Sequence, residues 1–378
     1  MSERTTTILH FLCVADEAPV CKMMRELCFA LAFVDDSAMH LVLARLEIEP
    51  ERNGGRPSKD NSTTLSHYNA SIEILRHQLG EPALIAHEII IGVIVNLACY
   101  DLYTDNLARW KTHLLGLQTM IQYRGGIRTL SSRYLQVTTT WTDLIGSMIV
   151  DASPYLELQQ AKNYTTVQAD FHSLDGCSNV ELESKANIAI LLDLLSTLSN
   201  LATGKSELEL SRDDVLLDVL QATIHSALTI PRYDEPGSHH ESLPPYLITH
   251  ELVRLAALTY LSGPVMFLAG GLTQKMIARH YRGKITRLYN PQRSFWVGLG
   301  HVKLIVLVVA ALGENGEDRY QLTAHLRRAM LSQGLEWENL VKMLHSMAWF
   351  DHVWMDGLNK LRRDLIFVNR THGLKSGQ

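Results

Sequence analysis

Residues 298–313 read GLGHVKLIVLVVAALG, the most apolar run in the chain. Its apolar core, Leu304 to Leu312, is too short to cross a bilayer, which takes about 20 apolar residues. The run therefore predicts a helix buried on nearly all sides. One lysine sits inside it. Lysine is almost never fully buried unless something pairs with it. On a helix, the neighbours of Lys303 three and four residues away are Leu299, Gly300, Val306 and Leu307. None is acidic, so its countercharge comes from a distant part of the chain or from a bound anion.

Elsewhere in the chain, helical periodicity recurs almost everywhere and strand alternation hardly at all. PALIAHEIIIGVIVNLACYDLYTD (82–105) is apolar nearly all round, and NLARWKTHLLGLQTMIQYRGG (106–126) is amphipathic with a two-glycine stop. Residues 22–48 carry Leu27, Leu31 and Val34 at helical spacing. The stretches 63–80, 134–151, 183–203, 211–230 and 245–269 read as helices too, as do the aromatics Trp349, Phe350 and Trp354 near the end. The expected buried helices lie at about 83–104 and 292–313. Polar loops are expected near 49–63, 152–182 and 231–245, with a frayed KSGQ at the C-terminus. No composition shift and no repeat divides residues 1–378, so the expectation is a single large all-α domain.

Composition narrows the function classes. The chain has 35 basic and 40 acidic residues, a net charge of −5, which argues against a general nucleic-acid-binding surface. The five cysteines, Cys13, Cys21, Cys28, Cys99 and Cys177, read as reduced thiols and not as a disulfide framework. The start, MSERTTTILHF, has no signal-peptide pattern, so a soluble intracellular protein without membrane contact is expected. No nucleophile elbow, phosphate loop, dinucleotide fingerprint or metalloprotease helix is present. His239 and His240 lie in a Gly/Pro segment with no second ligand cluster, and His301 points away from Lys303 and has no role. Trp110 and His113 read as packing residues. Asp101 and Asp105, four apart, share a helix face near a helix end, where solvated acids are common.

The stretches at 23–44 (MMRELCFALAFVDDSAMHLVLA), 65–79, 109–126 and 250–263 (HELVRLAALTYLSG) resemble the regulatory domain of fungal zinc-cluster transcription factors. So do 308–320 (VVAALGENGEDRY) and 343–354 (MLHSMAWFDHVW). The resemblance covers roughly residues 10 to 360 in order and implies an all-helical fold. It departs from the family at the zinc cluster, which needs six closely spaced thiolates around two metal ions. The first three cysteines here are eight and seven residues apart, and no basic linker follows. No zinc is expected. Such a chain has lost its own means of reading DNA and would act through partners, as a corepressor, ligand sensor or dimer partner, unless the gene model is cut short at its start.

A second resemblance bears on Lys303. A small group of atypical fungal humulene synthases is all-helical and uses two Mg²⁺ ions. These enzymes depend on a lysine that meets the diphosphate, with a product-shaping Leu or Met four residues before it. Leu299 and Lys303 have that spacing. On this reading the substrate is farnesyl diphosphate or another prenyl diphosphate. Lys303 stabilises the leaving group and Leu299 shapes the product, while Trp296 shields the allylic cation, with Phe295, Trp110 or Trp141 as other candidates. Asn96, Asp101 and Asp105 supply oxygen ligands to magnesium. The two readings stay open, with the lean toward a cytoplasmic sesquiterpene cyclase. The alternative is a nuclear stand-alone regulatory domain. A homodimer fits either.

Overall fold

A computed structural model describes residues 18–48, 62–158, 179–210, 212–233, 243–269, 271–292, 294–347 and 349–373. The polar loop at 49–61, most of the expected loops at 152–182 and 231–245, Cys13, Cys177, His239, His240 and the KSGQ tail lie outside them. Among the described residues every regular element is helical, as the periodicity implies. The chain divides at 158/159 into two compact units, the first also taking in 268–270. That division leaves the one-domain expectation a proposal.

The first unit contains α1 (Pro19–Ala32), α2 (Asp36–Ile48), α3 (Ser62–Leu79), α4 (Glu88–Tyr103), α5 (Leu107–Arg124) and α6 (Arg133–Val150). Its centre is α4, whose residues Ile90 to Ala98 are all buried. A helix without a polar face must be covered all round. Accordingly α1, α2, α5 and α6 each pack on it. Each buried Ile, Val or Leu contributes about 1.5–3 kcal/mol relative to exposure.

Local chemistry sets the ends. The run expected to be helical from 83 begins at Glu88, because His87 Nδ1 accepts the N–H of Ile89 and the preceding residues form turns. The 22–48 periodicity is broken into α1 and α2 at Asp35. Its carboxylate accepts from Ala38 N (3.1 Å), the Ser37 hydroxyl and Gln78 Nε2 (2.6 Å), which caps α2 and ties it to α3. The glycine stop of α5 is as read. Gly125 (φ 93°) and Gly126 (φ 110°) are left-handed, and Gly126 N–H reaches back to Ile121 O at 2.9 Å.

The second unit contains α7 (Asn179–Ala202), α8 (Glu207–Leu210), α9 (Asp214–Thr229), α10 (Pro245–Ala269), α11 (Gly271–Tyr281), α12 (Lys284–Leu288), α13 (Gly300–Gly313), α14 (Gly316–Ser332), α15 (Trp337–Met347) and α16 (Asp351–Gly373). Here the apolar run is α13, with α14 and α16 packed on it. By length and composition Pro245–Leu268 would suffice to cross a membrane, yet its residues are mostly buried, as in the core helix of a globular unit. Two expectations are corrected. The helix foreseen from 292 starts only at Gly300. The segment before it is held instead by Thr249, whose hydroxyl accepts Phe295 N and donates to Phe295 O, both at 2.9 Å. Trp349 and Phe350 lie in the break between α15 and α16. There the backbone of Trp349 exchanges two hydrogen bonds with the Ser199 hydroxyl, and both aromatics are buried.

Trp110 sets the closest approach in the first unit. Its indole lies against Gly146 of α6 and donates from Nε1 to Thr142 O at 3.3 Å. A Cβ on Gly146 would stand 2.0 Å from Trp110 Cζ2. Gly146→Ala is expected to cost about 3 kcal/mol, the upper end of overpacking penalties. Urea unfolding measures this, and a loss below about 0.5 kcal/mol would mean that the indole simply moves aside.

Candidate functional site

Beside α4 in the first unit, polar groups converge out of solvent. Asp101, fully buried, meets Arg109 Nε at 2.9 Å, His113 Nε2 at 3.2 Å and the Tyr68 hydroxyl at 3.2 Å. The Arg109 contact is an ion pair by distance but is not aligned as an N–H···O bond. The guanidinium also lies over the Tyr68 ring, 4.4 Å from its centroid. The tyrosine comes from α3, the acid from α4, and the arginine and histidine from one turn of α5. The Arg-Trp-x-x-His spacing therefore sends Trp110 into the core and His113 into the ion network. The solvated-face reading fails for Asp101, because a buried carboxylate needs such partners.

The proposed magnesium ligands do not come together. Asp101 is occupied as described. Asp105 lies beyond the end of α4 in a left-handed conformation (φ 58°) and is exposed, so the two acids do not share a helix face. Asn96 is buried on α4, and its amide nitrogen has no hydrogen-bond partner among the described residues. No group of three or more His, Cys, Asp or Glu among the described residues is placed to hold a metal ion. These side chains do not fit a two-ion centre.

The other candidate residues belong to the second unit. Lys303 is half-buried in the first turn of α13, and burial pushes its pKa below the usual lysine range. No carboxylate among the described residues pairs with it. The charge it feels comes from its own kind. The His325 ring pKa is lowered by burial, by Arg328 and by Lys303. Leu299 occupies the N-cap position and, with Phe295, Val297, Ile188, Tyr246 and Thr249, lines a cavity of about 240 Å³. Lys303 is not among its lining residues. The cation at that cavity is Lys185, already paired with Glu181 at 2.9 Å. Trp296 sits in the non-helical link, half-buried, with its indole N–H buried and unpartnered among the described residues. The structure thus separates the Leu299 cavity from the Lys303 ammonium, although the two residues are one turn apart.

Residues 5–347 match the fungal specific transcription factor domain. The chain belongs to that family. No curated protein matches it, and no solved structure does. The transcription-factor domain therefore accounts for most of the sequence, and nothing comparable stands behind the humulene synthase resemblance.

Sequence reasoning missed two buried ionisable features of this family member. Glu251 and Arg254 form a fully buried bidentate pair on α10 (2.6 and 3.1 Å), which the i, i+3 spacing in HELVR signals. Asp143, inside the otherwise neutral TTTWTDLIG of α6, accepts the N–H groups of Tyr155 (3.1 Å) and Leu156 (2.7 Å) and the Ser147 hydroxyl (3.2 Å). Burial outweighs these donors and raises its pKa from 3.8 to about 6. The folded state therefore binds this proton more tightly than the unfolded state. Its contribution is full below pH 3.8 and is lost as pH rises through about 6, a swing on the order of 3 kcal/mol. Asp143→Asn is expected to remove that slope, as denaturant unfolding at pH 4, 5, 6 and 7 would record. Parallel curves for the two proteins would contradict it.

Proposed function

We propose that this chain is a regulatory domain that controls transcription in the nucleus through protein partners, and that these residues do not themselves read DNA. The match over residues 5–347 carries the proposal. Charge and thiol chemistry support it. A net charge of −5 offers little attraction to a phosphate backbone. Five cysteines are fewer than a six-thiolate zinc cluster requires. Two of them are poor thiolates, since burial pushes the Cys28 pKa up to about 11 and raises that of Cys99.

Tethering tests the reading directly. Fused to a heterologous DNA-binding domain, residues 1–378 are expected to raise or lower a reporter several-fold relative to that domain alone. An unchanged reporter, with the fusion present in the nucleus, would overturn it.

One observation favours the cyclase as a second reading, namely that Lys303, at the head of an apolar helix, pairs with no carboxylate among the described residues. Purified protein given farnesyl diphosphate and Mg²⁺ is expected to release no diphosphate. Metal-dependent release that falls by about 10²–10³ in Lys303→Met, at unchanged fold, would instead establish an enzyme in which that ammonium stabilises the leaving group.

A further inference from the structure

Glu314 terminates α13 and is only 5% exposed. One of its carboxylate oxygens accepts the backbone N–H of Gly283, the residue that precedes α12. Among the described residues it makes no ion pair and no second hydrogen bond. A carboxylate can accept about four hydrogen bonds, and a buried one with a single donor is costly. Burial raises its pKa against the Gly283 N–H, Asp318 raises it further, and Arg282 and Arg287 oppose the shift from a distance.

This carboxylate lines a cavity of about 170 Å³ within the second unit. Four other polar side chains of the wall, Thr259, Ser262, Arg282 and Trp354, are complementary to one another. Thr259 and Ser262 have committed their hydroxyl protons to Leu255 O (2.8 Å) and Thr259 O (2.7 Å), so they present lone pairs. Arg282 lines the cavity as an exposed residue and forms no ion pair with Glu314 or any other described residue. Trp354 also lines the cavity, and its indole N–H is buried with no acceptor among the described residues. Acceptors and a deep negative charge thus share the wall with a cation and an unused donor. A cavity of about 150 Å³ holds benzene, with six heavy atoms. The space suits a molecule of about that size with a positive end and a negative end.

We infer that this cavity binds a small α-amino acid, with its ammonium on Glu314 and its carboxylate facing Arg282 and the Trp354 indole. Such a ligand gives the half-satisfied carboxylate its missing donors and pairs both charges at once. The site goes beyond the regulatory reading, supplying it with an effector. It is read by binding alone, so its failure would leave the reporter result standing, and the reverse also holds.

Calorimetric titration of the whole chain with L-alanine and L-serine tests it, with propylamine and propionate as the two half-molecules. Saturable binding of the amino acids is expected, with each half-molecule weaker by roughly tenfold or more. Glu314→Gln keeps an oxygen for the Gly283 N–H but loses the charge, and it should weaken binding by about the same factor. Arg282→Ala removes an exposed side chain without an ion pair, so it should stay folded and weaken binding even if the first variant does not fold. Three results would overturn the inference. They are no saturable heat from either amino acid with the folded wild-type chain, undiminished affinity in Arg282→Ala, or half-molecules that bind as tightly as the whole.

Discussion

Two helices without a polar face constrain everything else. α4 and the Val306–Ala311 stretch of α13 expose almost nothing, so each must be covered from several directions by helices that are themselves only half apolar. In the first unit α1, α2, α5 and α6 supply the cover, and in the second α14 and α16 do so in part. This demand explains why both short breaks and long helices are tolerated around them. The chain folds back wherever a cap is available and lays another amphipathic stripe on the same core.

Covering an apolar rod on all sides also traps polar side chains, and the fold handles them in different ways. Asp101 is surrounded by a cation and an imidazole from α5 and a phenol from α3, so its charge is shared. Asp143 has only neutral donors, and its proton is held more firmly as a result. Lys303 has neither, and it keeps part of its length in water. Asp101 and Asp143 are equally deep, so it is partner supply and not depth that separates those two.

The fold class was legible because helical periodicity is a local signal, repeated in every segment. Element ends were legible where one residue type decides them, as at Gly125 and Gly126. They were misjudged where a distant group intervenes. Thr249 lies 46 residues from the Phe295 backbone that it holds out of helix, and Ser199 lies 150 from Trp349. The magnesium-ligand reading parted from the structure for a local reason. Asp101 and Asp105 are four apart in sequence, but the helix ends between them and sends one into the core and the other into water. Family membership was visible in the ordered set of short patterns, since these patterns mark core positions and not chemistry. The Lys303 pattern, two residues long, had no such redundancy.

A buried cysteine places a clock inside the first unit. Cys28 on α1 and Cys99 on α4 are held as protonated thiols, and Cys99 Sγ lies 3.0 Å from the Thr142 hydroxyl. A protonated, enclosed sulfur is inert to electrophiles and mild oxidants. Cys28, 2% exposed, becomes reactive only when α1 and the helices packed on it separate. The rate at which an alkylating reagent modifies it therefore reports how often that core opens. The same enclosure gives the core a hazard. A thiol oxidised during a rare opening becomes bulkier and more polar, so it no longer fits the space it left, and the opened state is trapped.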